Sequence, residues 1–178
     1  MSWPAEAIRA AVAPSLPGFT VEVLPQVDST NTELMRRARA GQTDPVLLVA
    51  ERQTAGRGRL GRDWHSGAGD ALTFSLALPL APADWSGLSL AVGVSLAESL
   101  HPDIRLKWPN DLWLADRKLG GILIETASFG QAGQARRYAV VGVGINLVAR
   151  EVAGLSTPPA WLQELLPGCD AGQALLRV

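Results

Sequence analysis

The densest set of anion-binding side chains lies at positions 53–64, where the chain reads QTAGRGRLGRDW. Its guanidinium groups would present paired N–H donors that match the oxygens of a phosphate or a carboxylate. Its glycines would permit positive φ angles and bring backbone N–H groups close to a bound anion. Because three cations at this spacing repel one another, we expect the empty loop to be mobile and an anionic ligand to order it. The residues concerned are Arg57, Arg59, Arg62, Gly56, Gly58 and Gly61.

Composition alone leaves other interpretations of this loop open. It could be a solvated basic loop, or an RGG-like segment that binds single-stranded nucleic acid. The net charge of −1 and the position of the loop between predicted strands argue against nucleic acid. The GxxxxGK[ST] pattern of a Walker A loop is absent. Trp64 could belong to the core, or it could stack on a purine ring, a contact worth about 1–3 kcal/mol.

A second cluster begins with KWPND at 107–111. Pro109 would interrupt a strand and form a turn from which Asn110 and Asp111 point inward. The chain has fourteen arginines but only two lysines, one in this motif and the other, Lys118, just after it. Where arginine is the usual cation, a lysine indicates a site that needs a compact point charge.

The same cluster continues with RKLGGILIE at 117–125. Gly120 and Gly121 would let a ligand approach the backbone closely, and the apolar residues after them would form a wall. The alternative is an ordinary hairpin with a Lys–Asp pair on the surface, which would contribute under about 1 kcal/mol.

Apolar periodicity predicts the elements that must position these clusters. Strands closely follow one another with few helical crossovers, which favours an α+β class over a doubly wound parallel sheet. Residues 53–69 lack periodicity and are predicted to form a loop. We expect strands at 19–24, 46–51, 71–80, 104–108, 112–115, 121–126 and 138–147, helices at 3–12, 28–40 and 86–100, and one short amphipathic helix in the tail.

Composition limits the class of protein. A chain of 178 residues, 47% apolar and 19% charged, fits one globular domain. Its near-zero net charge argues against a general affinity for DNA or for a membrane surface. The single cysteine, Cys169, excludes an internal disulfide and a multi-cysteine zinc site. Since no signal peptide or membrane-length apolar run is present, we expect a cytoplasmic protein.

Taken together, these segments resemble the catalytic domain of biotin–protein ligases. The matching motifs stand in family order: DSTN at 28–31, QTAGRGRLGRDW at 53–64, KWPNDLWL at 107–114, RKLGGILIE at 117–125 and GVGIN at 142–146. The resemblance implies an α+β fold with a mixed, largely antiparallel sheet backed by helices, shared in outline with lipoate ligases and class II aminoacyl-tRNA synthetases. It also implies a single catalytic domain over 1–178, with its core at 20–148.

The reaction implied by the resemblance has two steps. Biotin and ATP, with Mg²⁺, would form biotinyl-5'-AMP and pyrophosphate. The biotinyl group would then pass to a lysine of a biotin carboxyl carrier protein domain from a biotin-dependent carboxylase. Homodimers are common in the family, and the sequence leaves the oligomeric state open.

The resemblance also implies roles for individual residues. Ser29, Thr30 and Gln53 would surround the biotin ureido group, and Lys118 would lie between the biotin carboxylate and the α-phosphate. The implied biotin-binding residues are Ser29, Thr30, Gln53, Gly56, Arg57, Lys118, Gly121 and Leu123. Those implied for ATP or the adenylate are Arg59, Arg62, Trp64 (against adenine), Asn110 and Asn146. The catalytic set would be Lys118, Arg57, Arg59 and Asp111, with no certain metal ligand.

The chain differs from typical members of the family in two respects. Only 27 residues precede Asp28, too few for the helix-turn-helix domain of repressor members, so we expect no binding to DNA. The small C-terminal β-barrel of most members is expected to be absent or truncated.

A lipoate–protein or octanoate–protein ligase on the same fold is one alternative function. A non-catalytic domain that binds biotin or a nucleotide is the other.

Overall fold

The computed structural model describes residues 3–82, 84–129, 136–150 and 157–178. Two 3-10 turns, at Arg59–Gly61 and Leu162–Glu164, accompany the longer elements. The strands are β1 (Thr20–Leu24), β2 (Val46–Ala50), β3 (Ala71–Pro79), β4 (Arg105–Lys107), β5 (Asp111–Leu114), β6 (Arg117–Phe129) and β7 (Arg136–Asn146). The helices are α1 (Ala5–Val12), α2 (Thr30–Arg39), α3 (Leu88–Leu100) and α4 (Ala171–Arg177). No helix in the described ranges is long and apolar enough to span a bilayer.

The seven strands of the described ranges pair into one sheet in the order β1-β2-β3-β7-β6-β5-β4. Strands β1 and β2 pair in parallel, and every other neighbouring pair is antiparallel. The α+β class, with a mixed and largely antiparallel sheet backed by helices, is therefore confirmed. Strand β6 is longer than the predicted 121–126, because its first residues pair with β5 and its later residues with β7. Pairing partners, rather than its own apolar pattern, define its ends.

Apolar side chains pack against both faces of the sheet. A larger cluster joins the sheet to α3 and α4, and its members include Leu72, Leu96, Ile122, Ile145 and Leu175. Cys169 belongs to this cluster, and burial raises the pKa of its thiol, as expected for a packing residue. A smaller cluster packs α2 on the opposite face, with members that include Leu34, Met35, Leu48 and Val140.

Two glycines in β7 let other elements touch the sheet. Gly142 lies beneath the first turn of α2, where a Cβ atom would overlap Oδ1 of Asn31. Gly144 lies beneath Trp64, whose indole ring would overlap a Cβ at that position. Neither glycine has a positive φ, so each is required for space rather than for its backbone conformation.

We expect Gly142→Ala to lower the free energy of unfolding by about 1–3 kcal/mol, because the added methyl group must displace α2 or distort β7. Chemical denaturation would measure the loss. Gly87→Ala is the matched control, since a Cβ atom there meets no atom within 4 Å. Equal stability of the two variants would contradict this account of the contact between α2 and β7.

Candidate functional site

The first turn of α2 forms one side of the candidate site. Ser29 is its N-cap residue, and its hydroxyl oxygen accepts a hydrogen bond from the backbone N–H of Thr32 (3.4 Å). The carboxylate of Asp28 accepts from the backbone N–H of Ser29 (2.8 Å) and pairs with Arg36 (2.6 Å). Burial opposes ionisation of Asp28, but these contacts outweigh it and lower its pKa. The DSTN segment is thus fixed in place over the sheet.

Four polar side chains, two of them from this turn, form a continuous row of hydrogen-bonded groups on the sheet. Oε1 of Gln53 accepts from the backbone N–H of Thr30 (2.7 Å) and lies 3.1 Å from its hydroxyl. The hydroxyl of Ser75 lies 2.7 Å from Oγ1 of Thr30 and 2.6 Å from Oδ1 of Asn31. We refer to Gln53, Thr30, Ser75 and Asn31 as the polar row. The predicted grouping of Thr30 with Gln53 is present, and Ser29 directly precedes Thr30 in the chain.

Ser75 was not among the predicted site residues, although it is fully buried in the middle of the row. The sequence did contain a signal for it. In β3, Thr73 and Ser75 alternate with the apolar residues Leu72, Phe74 and Leu76, and this period of two places both hydroxyls on one face of the sheet.

The arginine–glycine loop, residues 56–64, forms a flap beside the polar row. Its ends are joined by a hydrogen bond from the backbone N–H of Trp64 to the carbonyl of Gly56 (2.9 Å). Of its three glycines only Gly61 uses the positive φ that the sequence would permit (φ 70), together with Leu60 (φ 57). Gly56 instead provides space: a Cβ atom there would lie 2.8 Å from Nε2 of Gln53.

Two of the three flap arginines have partners across the site. Arg57 binds the carboxylate of Glu125 (2.8 and 3.0 Å) and donates from Nε to the hydroxyl of Thr32 (3.1 Å). Arg59 donates to Oδ1 of Asn110 (3.1 Å), and Arg62 is exposed. Glu125 therefore compensates part of the positive charge that was expected to repel. The mobility of the empty flap stays a prediction.

Trp64 lies at the end of the flap, where its indole ring covers Gly144. Its Nε1–H is buried without a hydrogen-bond partner among the described residues. The residue is only half-buried, so the sheet supports one part of the ring while the rest stays accessible. Stacking of adenine on Trp64 stays a prediction.

Lys118 and Asp111 form an ion pair on the far side of the site. Nζ of Lys118 lies 2.8 Å from Oδ1 of Asp111, and their side chains are 31% and 23% exposed. Gly121 is next to them: a Cβ atom there would lie 3.5 Å from Nζ of Lys118. A register shift between Leu112 and Trp113 accompanies this pairing. The pair is therefore partly enclosed, unlike an ordinary ion pair on the surface.

The remaining glycine and the apolar wall are only partly as predicted. A Cβ atom at Gly120 would lie 2.5 Å from the carbonyl oxygen of Gly144, so Gly120 permits contact between two strands rather than with a ligand. Gly121 and Leu123 pair with Gly144 and Gly142, which places them on the face that carries α2. Ile122 points the other way, into the larger apolar cluster.

Asn110 connects the KWPND turn to both the flap and the sheet. Its side-chain Nδ2 donates to the backbone carbonyl of Ile122 (2.8 Å). Its backbone carbonyl accepts from the backbone N–H of the same residue (2.9 Å). Its Oδ1 accepts from Arg59 of the flap. The flap is therefore joined to a turn whose next residue, Asp111, contacts Lys118.

Asn146 is buried and supports the backbone around Lys118. Its Nδ2 donates to the carbonyls of Lys118 and Ala160, each at 3.2 Å. The backbone N–H of Lys118 donates to Pro158 (2.9 Å), and that of Ala160 donates to Lys118 (2.8 Å). No motif in the sequence indicated that residues 158–160 support the site. A contact of Asn146 with the nucleotide stays a prediction.

The other lysine, Lys107, is placed differently. Its Nζ lies 3.7 Å from the ring centroid of Trp113, an arrangement typical of a cation–π contact. Of the two lysines that the sequence singled out, Lys118 alone pairs with a carboxylate of the site.

An open cleft of about 800 Å³ runs along the flap. Its lining includes Gln53, Gly56, Trp64, Asp70 and Arg150. Arg150 and Asp70 form an ion pair within this lining (3.0 Å). The cleft thus places part of the polar row next to the flap, whereas Lys118 and Asp111 lie beyond its lining.

Comparison with known proteins identifies relatives along most of the chain. The model of the biotin/lipoate A/B protein ligase family matches residues 23–146. The bifunctional ligase/repressor BirA of Escherichia coli is 42% identical over 153 residues, which are 83% of this chain and 46% of that protein. The biotin–[acetyl-CoA-carboxylase] ligase of Mycobacterium tuberculosis is 38% identical over 138 residues, covering 71% and 49%. The chain thus spans about half the length of these relatives.

Solved structures give the same answer for the fold. The biotin protein ligase from Aquifex aeolicus in complex with biotin and ATP aligns with a TM-score of 0.69 at 33% identity, over 88% of this chain and 66% of that one. A mutant of that enzyme, in complex with biotin, aligns with a TM-score of 0.67 at 32% identity, over 88% and 65%. Since the family model covers well over half of the residues, the chain belongs to the biotin/lipoate A/B protein ligase family.

Proposed function

We propose that this protein is a biotin–protein ligase, which forms biotinyl-5'-AMP from biotin and ATP and transfers the biotinyl group to a carrier lysine. One observation carries the proposal: Arg59 of the flap and Lys118 of the sheet contact consecutive residues, Asn110 and Asp111. Cationic groups from two separate segments therefore converge on one place. The relatives named as biotin ligases support the choice of biotin.

The first half-reaction needs such a convergence of charge. A carboxylate that attacks an α-phosphate brings two anions together, and both must be neutralised. Lys118 would lie between them, while Arg57 and Arg59 would hold the flap over biotin and phosphate. Fixed donors of this kind act on the charge that develops in the transition state, and each can be worth about 3–4 kcal/mol. The closed flap would also keep water from the mixed anhydride.

The polar row supports biotin as the acid. A cyclic urea has one carbonyl acceptor and two N–H donors, all of which need partners once buried. Because Oε1 of Gln53 already accepts from Thr30, its Nε2 is the donor that remains for a ligand carbonyl. The Ser29 hydroxyl accepts from a backbone N–H and so keeps its own hydrogen to donate. A lipoyl group would leave these groups without partners.

Mg²⁺ is the ion that the proposed reaction requires, and it would neutralise the charge of the ATP phosphates. Within the described ranges, no three His, Cys, Asp or Glu side chains are grouped to hold a metal by themselves. Sites that take Mg²⁺ with a nucleotide commonly supply one or two carboxylates and leave the other positions to phosphate and water. Asp111 fits this role, because Lys118 occupies only its Oδ1.

The acceptor is proposed to be a biotin carboxyl carrier domain of a carboxylase, as the names of the Mycobacterium tuberculosis and Paracoccus denitrificans relatives indicate. Its lysine would reach the adenylate beside Asp111 and Asn110. Docking by strand addition at an edge of the sheet is one route, and β4 is an edge strand. A cytoplasmic location stays a prediction from composition.

Replacing Lys118 should remove the central cation. We expect Lys118→Ala to reduce biotin-dependent ATP–pyrophosphate exchange by about 100-fold or more. Lys107→Ala is the matched control and should keep the rate within a few-fold, because its ammonium group lies over Trp113. Exchange by Lys118→Ala at the wild-type rate would contradict the role given to this residue.

Replacing Arg59 should loosen the flap over the adenylate. Arg59→Gly is expected to release biotinyl-5'-AMP about ten times faster, since a charged hydrogen bond is lost. Rapid filtration with radiolabelled biotin would measure the release. Asn110→Ala removes the other partner of the same contact and should change the release in the same direction. Release at the wild-type rate from both variants would show that this contact does not retain the adenylate.

The ligand itself distinguishes biotin from the lipoate and octanoate alternatives. Titration calorimetry should detect biotin binding and no binding of lipoate. Thr30→Val, which keeps the shape of the side chain but removes its hydroxyl, should weaken biotin binding by about tenfold. Stronger binding of lipoate than of biotin would favour the alternative ligase, and binding without pyrophosphate exchange would favour a non-catalytic domain.

A further inference from the structure

Glu125 connects the flap to the polar row. In the sequence it is only the last residue of the RKLGGILIE motif, with no indicated role. One carboxylate accepts from both segments: Arg57 of the flap donates to its two oxygens (3.0 and 2.8 Å), and Nδ2 of Asn31 donates to Oε2 (3.0 Å). Its side chain is 26% exposed, so the group lies where the pocket meets the flap. An anion in this position can influence both parts at once.

On the flap side, Glu125 determines which donors of Arg57 are left for a ligand. The guanidinium group has five N–H donors in a rigid plane. Both oxygens of Glu125 accept from Nη2, and the hydroxyl of Thr32 takes the hydrogen of Nε. The two N–H groups of Nη1 therefore remain, with their direction fixed by contacts on the other edges. Glu125 orients Arg57 in addition to neutralising it.

On the pocket side, Glu125 fixes the direction of the hydrogen bonds along the polar row. Nδ2 of Asn31 donates one hydrogen to Glu125 and the other to the carbonyl of Leu123 (3.1 Å). Because this orientation fixes the amide, Oδ1 must face Ser75. Ser75 has one hydroxyl hydrogen, which this oxygen requires. The lone pairs of the Ser75 oxygen then face Oγ1 of Thr30 (2.7 Å), and the single hydroxyl hydrogen of Thr30 can go either to this oxygen or to Oε1 of Gln53 (3.1 Å). The hydrogen-bond directions from Glu125 through Asn31 to Ser75 are thereby set from one end of the row.

We propose that Glu125 is a positioning residue that couples the placement of the flap to the hydrogen-bonding pattern of the biotin pocket, by holding Arg57 and Asn31 with one carboxylate. The inference rests on the proposed function in one respect, which is the use of biotin as the probe. It makes two claims that can be measured separately. The flap half is that Glu125 holds Arg57 and so the flap, and the pocket half is that Glu125 orients Asn31 and so affects biotin binding.

Glu125→Gln tests both halves, because the amide keeps the size of the side chain but cannot neutralise Arg57, and it offers one acceptor oxygen where Arg57 and Asn31 share two. In the ligand-free protein, trypsin should cleave after Arg59 about ten times faster, as detected by mass spectrometry. The Kd for biotin, measured by calorimetry, should rise by about tenfold. The exchange kcat at saturating biotin should stay within a few-fold, since Glu125 is not expected to touch the reacting atoms.

Three further variants make the test specific. Glu22→Gln removes a carboxylate that contacts Arg37 (2.8 Å) away from the flap, and should change neither measurement. Arg57→Gln breaks the flap contact from its other end and should speed cleavage after Arg59 as much as Glu125→Gln does. Ser75→Ala interrupts the polar row only, and should weaken biotin binding without faster cleavage.

The outcomes separate this inference from the proposed function. If wild-type protein binds biotin and Glu125→Gln matches it in either affinity or cleavage, the coupling role of Glu125 is overturned. Unchanged affinity in Ser75→Ala would overturn the pocket half alone. If wild-type protein fails to bind biotin, the proposed function fails, and the cleavage rates of Glu125→Gln and Arg57→Gln still decide the flap half.

Discussion

The contact between the first turn of α2 and strand β7 is the constraint on which the rest of the site depends. It exists because position 142 has no side chain, so the amide of Asn31 can lie directly on the sheet. From there Asn31 reaches Ser75, Leu123 and Glu125. A buried polar group is costly unless it is hydrogen-bonded, and in this row each group satisfies the next. The proposed biotin pocket and the contact that holds the flap therefore both depend on Asn31.

The site divides its work between a rigid sheet and a loop. Strands β5 and β6 hold Asp111 and Lys118, and the carbonyl of Lys118 is held in turn by Asn146. The flap places Arg57 and Arg59 over this frame through side-chain contacts with Glu125 and Asn110. A protein of net charge −1 can thus concentrate cations at one place, because partners on the sheet offset them when no ligand is bound.

Local sequence predicted the parts of the site that lie within one short segment. Asp111 and Lys118 meet because a single hairpin turn separates them, and the two predicted strands at 112–115 and 121–126 already implied a turn between them. Ser75, Glu125 and the segment at 158–160 were missed, since their partners lie far away in the chain, on α2, on the flap and on β6. A polar residue on a strand signals which face it occupies, but not which residue of another strand or helix it will meet.

By itself the sequence determined the α+β class, the positions of most strands and the cationic chemistry of two motifs, because alternation, turn residues and charge are local properties. The tertiary structure decided the strand order, the length of β6 and the purpose of the glycines. Gly120, Gly142 and Gly144 resemble flexible positions in the sequence, yet each is needed where another strand, an amide or an indole ring approaches the backbone. Such close contacts between distant segments exist only after the chain has folded, so no local pattern encodes them.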